Sequence, residues 1–173
     1  ASTGYLSGVD DRMGGVALAC DEAVRFSIET PGGRREVRII YSTADLSPGL
    51  LDFVSEIRQG VEQSAATLRR IGEGTTADIT IWAAHLAHPS DSVGDIDAQT
   101  SPLRGPRSEC VVALYPGGNT RFVTAHEFFH CVQFATVGDK TGLSVSSWWV
   151  EGTAEWFANL AYPGSGNSAG DVA

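Results

Sequence analysis

The stretch TAHEFFHCVQFAT occupies Thr124–Thr136, and the rest of the chain has to be read around it. Phe128, Phe129, Cys131, Val132, Phe134 and Ala135 are material for a buried helix, yet His126, Glu127 and His130 interrupt them. In a helix, residues four apart stand on one face, one turn from each other. Two imidazoles so placed suit a tetrahedral zinc ion, each nitrogen about 2.0–2.1 Å from it. Glu127 falls roughly 100° around the helix from His126. From there its carboxylate can reach a metal-bound water without displacing it, the H-E-x-x-H arrangement of zinc peptidases. The competing explanation is a pair of core histidines satisfied by ordinary hydrogen bonds. Chance produces this five-residue pattern in about one chain in a few hundred of this length, so the pattern does not decide the matter alone.

A second stretch, WWVEGTAEWFA, follows at Trp148–Ala158. A carboxylate at Glu151 among Trp148, Trp149, Trp156 and Phe157 would be costly to bury without a cation. Gly152, a poor helix residue, suggests that this helix approaches a neighbour closely there. Together HEFFH and WWVEGTAEWFA resemble the signatures of the glutamate zincins (gluzincins), most of all the bacterial collagenase group and related secreted metallopeptidases. The resemblance is specific over residues 120–162. It implies that His126, His130 and Glu151 are zinc ligands and that Glu127 is the general base. It also implies that Glu155, one turn beyond Glu151, orients the first histidine, a partner of the kind that fixes ring tautomer and basicity.

Working outward, VRFSIET and REVRIIYST read as two strands joined by a turn at Pro31–Arg34. Ser47-Pro48 offers an N-cap with proline at the first helical position. Leu50, Leu51, Phe53, Val54, Ile57, Val61, Leu68 and Ile71 then keep a helical period until Gly72 stops it. ADITIWAAHLA reads as a strand of period-2 apolar character, residues 88–108 as a long polar loop, and ECVVALYPGG as another strand. Asn119 or Thr120 can cap the helix of His126, and Ser146 or Ser147 the helix of Glu151, which ends at Pro163-Gly164. The expectation is an α+β, zincin-like fold: one domain over residues 1–173, with a small mixed β-sheet packed on helices.

The 173 residues suffice for a single core, and 42% of them are hydrophobic. The net charge of −9, with 12 scattered Lys and Arg, excludes a phosphate-binding surface, so no nucleic-acid partner is expected. No apolar run reaches the roughly 20 residues of a membrane span. The opening ASTGYLSG shows no charged n-region followed by an apolar h-region, so no signal peptide is legible. One Met, 20 Gly and the acidic bias suit a secreted or extracytoplasmic protein. Cys20, Cys110 and Cys131 allow at most one internal disulfide, whose pairing the sequence does not specify. Cys131, beside His130, reads as inert or disulfide-bonded rather than as a ligand.

Two weaker constellations remain. His85 and His88 could grip a metal at i, i+3 but lack a third partner, so surface histidines are the simpler reading. Asp91, Asp95 and Asp97 could bind calcium with backbone oxygens, yet their loop carries no calcium-loop signature. The resemblance further implies a downstream tyrosine or histidine that stabilises the oxyanion. Only Tyr162 and a short tail follow Glu151, so a C-terminal lobe is expected to be missing, very small or in another chain. The functional expectation is a zinc endopeptidase acting on protein or peptide through a metal-activated water, its extended substrate lying along an edge strand near Glu109–Tyr115. The alternative is a zinc-binding module that recognises without cutting. The sequence is silent on oligomeric state and on cleavage preference.

Overall fold

The computed structural model describes residues 22–42, 49–84, 98–104, 109–117, 119–137 and 147–165. Two strands, β1 (Glu22–Thr30) and β2 (Gly33–Tyr41), form an antiparallel hairpin. Its two-residue turn is closed by Gly33 at φ 107°, a left-handed conformation that glycine adopts without steric cost. Helix α1 (Leu50–Ile71) carries the chain to β3 (Ile79–Ala83), which pairs parallel with β2. Next come β4 (Ala98–Arg104) and β5 (Glu109–Leu114), then α2 (Thr120–Val137) and α3 (Ser147–Ala161). The sheet order is β1-β2-β3-β5-β4, with β4 alone antiparallel to its neighbour on that side. The small mixed sheet packed on helices is therefore as expected.

Three local expectations are corrected. The polar loop 88–108 contains a strand, β4, disguised by its composition, AQTSPLR. Pro102 lacks an N–H and is tolerated only at a sheet edge; it falls where the pairing breaks register between Ser101 and Arg104. Because β4 takes the edge, β5 is interior and buried along its whole length, so the strand Glu109–Leu114 offers no free edge to a substrate. All five residues of β3 are buried, since both faces of this strand are covered; Ile79, Ile81 and Ala83 face the main core and Trp82 the other side, in keeping with the period-2 reading. Finally, α1 starts at Leu50 after Gly49 (φ 102°), with no side-chain cap; Ser47 and Pro48 lie outside the described residues. At its other end Gly72 (φ 85°) donates its N–H to Leu68 O, the expected stop.

The main core lies between one face of the sheet (Val37, Ile39, Ile79, Ile81, Val112, Leu114) and the helices (Ile57, Val61, Leu68, Phe128, Val132, Phe157). On the opposite face Trp82, Val111, Ala113 and Tyr115 form a second apolar cluster. Two features hold α2 at a fixed height over the sheet. Gly60 lets α1 and α2 come into close contact, for a Cβ there would stand 2.7 Å from Thr124 Cβ and 3.2 Å from the Arg121 carbonyl oxygen. A disulfide joins Cys110 of β5 to Cys131 of α2. Cys20 lies outside the described residues, and no described helix is long and apolar enough to cross a membrane.

Candidate metal centre

Helix α2 is apolar around most of its circumference, as a buried helix must be. Asn119 starts it, its Oδ1 accepting from Phe122 N at 3.3 Å. Four polar residues are buried along it: Thr124, Glu127, His130 and Gln133. Helix α3 packs against α2 through Phe157, which is fully buried and stacks on Phe128 and Phe129 with centroids 6.2 and 4.7 Å away. Small residues complete the contact, Ala125 of α2 against Ala158 and Ala161 of α3.

This packing brings His126, His130 and Glu151 together. His126 Nε2 stands 3.1 Å from His130 Nε2 and 3.1 Å from Glu151 Oε2, and His130 Nε2 stands 3.5 Å from the same oxygen. The outer nitrogens of both rings face acceptors. His126 Nδ1 lies 3.5 Å from Glu155 Oε2, and His130 Nδ1 lies 2.7 Å from Gln133 Oε1. Glu155 is itself held by Asn159, whose Nδ2 donates to Oε1 at 3.2 Å. In a neutral ring, a proton on the outer Nδ1 leaves Nε2 as a lone pair. Two ring nitrogens and a carboxylate oxygen converge here, and with both Nε2 atoms unprotonated a cation would relieve the arrangement.

Glu127 is buried on the side of α2 toward the sheet edge. The Thr100 hydroxyl of β4 donates to its Oε2. Burial pushes this carboxyl above its ordinary range. The charge of His130 and the Thr100 hydrogen bond act against that shift, and Glu151 adds to it. The carboxyl thus feels both His130 and Glu151 while standing outside their cluster.

Two expectations about α3 are overturned. Glu151 is not enclosed by tryptophans: its side chain is 62% exposed, and Trp148 and Trp156 are 75% and 55% exposed. The cost of burying it therefore says nothing about a cation. Nor does Gly152 mediate a close approach, since a Cβ there would meet nothing within 4 Å. Tyr162, the tyrosine after Glu151, packs away from the cluster; its hydroxyl donates to Gln59 O at 3.3 Å, and burial raises its pKa. His85, His88, Asp91, Asp95 and Asp97 lie outside the described residues.

Sequence reading missed Thr100 and Gln133. Thr100 sits in the strand taken for a loop and left no signal. Gln133 did leave one: a polar residue one turn past His130 on an apolar helix has to be explained by a partner. Comparison with protein-family models, curated proteins and solved structures finds no match.

Proposed function

We propose that this chain is the catalytic domain, or the sheet-bearing part of one, of a zinc-dependent endopeptidase of the gluzincin kind, with a zincin-like fold. The observation that carries the reading is the triangle of His126 Nε2, His130 Nε2 and Glu151 Oε2, with edges of 3.1, 3.1 and 3.5 Å. Ligands about 2.0–2.1 Å from a tetrahedral zinc ion stand about 3.3 Å from one another. The donor set fits as well, two neutral imidazoles and a carboxylate, three ligands that leave a coordination position open.

When bound, zinc supplies a Lewis acid that polarises a carbonyl and lowers the pKa of water toward about 7. The chain's own residues supply the rest. Glu127 takes a proton from the attacking water and returns it to the leaving amine. Glu155 and Gln133 hold the rings so that both Nε2 atoms point inward. Among the described residues β4 is the free edge beside α2, so an extended peptide adding to it by main-chain hydrogen bonds would run past Thr100 and Glu127. A calcium site has no support among the described residues.

The test is hydrolysis of an unfolded protein, with and without a chelator. Glu127→Gln is expected to keep zinc and fold while losing turnover, because it removes the base and no ligand. His130→Ala and Glu151→Ala are expected to lose zinc, and stability with it. Near-normal turnover in Glu127→Gln sinks the mechanism, and stoichiometric zinc in both alanine variants sinks the ligand set. Zinc uptake by the wild type without any hydrolysis leaves the recognition module.

A further inference from the structure

Gln133 is only 4% exposed, and its amide bridges α2 and α3. Its Nε2 stands 2.8 Å from the Val150 carbonyl oxygen and 2.7 Å from Thr153 Oγ1, while its Oε1 stands 2.7 Å from His130 Nδ1. Hydrogen-bond chemistry decides which end of the amide is which. The Val150 carbonyl accepts and never donates, so the atom beside it is the nitrogen. Thr153 gives its own hydroxyl proton to the Trp149 carbonyl at 2.8 Å and accepts from Gln133. Both amide hydrogens are thereby committed. The oxygen is turned to His130, and an amide oxygen only accepts, so His130 Nδ1 carries the ring proton.

We propose that Gln133 is a positioning residue with two linked tasks. It holds His130 in the Nδ1–H tautomer, leaving Nε2 as a lone pair aimed at His126 and Glu151. It also ties α2 to the main chain of Val150, the residue before Glu151, and so sets where that carboxylate meets the histidines. The first task follows from hydrogen bonding alone; the second bears on metal affinity and rests on the zinc reading above. A solvated imidazole favours the Nε2–H form, so the tautomer is a readout that a merely structural glutamine would not move.

The experiment is long-range proton–nitrogen NMR of the metal-free protein above the histidine titration, paired with zinc competition against a chelator. Wild-type His130 is expected as Nδ1–H. Gln133→Met keeps length and removes both kinds of hydrogen bond; it is expected to release His130 toward Nε2–H and to weaken zinc binding about 10–100-fold. Gln133→Glu keeps the acceptor but loses the donors to Val150 and Thr153. It is expected to retain the Nδ1–H tautomer while still binding zinc more weakly than wild type. Circular dichroism checks that each variant is folded, and the wild-type tautomer stands even if Gln133→Met does not fold. Wild-type His130 found as Nε2–H overturns the first task. Folded variants that bind zinc like wild type overturn the second. A wild-type protein that takes up no zinc overturns the metal reading and the second task with it, while the tautomer still decides the first.

Discussion

Glu155 Oε2 stands 3.5 Å from His126 Nδ1, on the side of the ring opposite the nitrogen that faces His130 and Glu151. The carboxylate thus holds the imidazole from behind, and Asn159 one turn further on steadies it. Loss of such a partner typically weakens metal binding or activity about 10–100-fold. Glu155→Ala is expected to show that loss in a zinc competition titration. Glu155→Gln, which keeps shape and acceptor but not charge, is expected between wild type and alanine. Wild-type affinity in both variants would mean that His126 relies on another partner.

Thr100 makes a second, separable contribution, because it touches the proposed base and no ligand. Thr100→Val removes the hydroxyl that donates to Glu127 and keeps the β-branched shape of the strand residue. A hydrogen bond to a charged group contributes about 1.5–3 kcal/mol. We therefore expect kcat/KM to fall by about tenfold or more with zinc stoichiometry unchanged. Unchanged steady-state kinetics would show that Glu127 keeps its orientation without Thr100.

Gly60→Ala tests the contact of α1 with α2. The substitution favours the helix by about 1 kcal/mol in propensity, but its Cβ would stand 2.7 Å from Thr124 Cβ and 3.2 Å from a main-chain oxygen. Overpacking of this kind costs about 1–3 kcal/mol, and the backbone oxygen cannot swing aside. A lower melting temperature is expected by calorimetry, and a stabilised variant would refute the close packing.

The disulfide Cys110–Cys131 closes a loop with a sequence separation of 21. On the chain-entropy account such a bridge contributes about 3 kcal/mol. The double variant Cys110→Ala/Cys131→Ala is expected to unfold at lower denaturant by about that free energy, beyond any small packing change. Equal midpoints would remove the bridge from the account of how α2 is anchored.

Sequence alone determined the parts of this protein that depend on near neighbours along the chain. The spacing of His126 and His130 on one helical face follows from 3.6 residues per turn, and so does the step from Glu151 to Glu155. The hairpin turn at Pro31-Gly32, within the expected Pro31–Arg34, and the stop of α1 at Gly72 follow from what proline and glycine do to the backbone. What only the tertiary structure decided depends on contacts between distant segments. β4 is a strand because β5 offers it a partner, since its own polar, proline-bearing sequence has no strand pattern. That pairing buried Glu109–Leu114 and brought Thr100 to Glu127. The exposure of Glu151 and the freedom around Gly152 followed from which face of α3 Phe157 drew against α2. Gln133 acquired its role the same way, because its three partners come from both helices. A helix's own period says which residues share a face; which face turns inward is settled by the apolar surface that packing can bury.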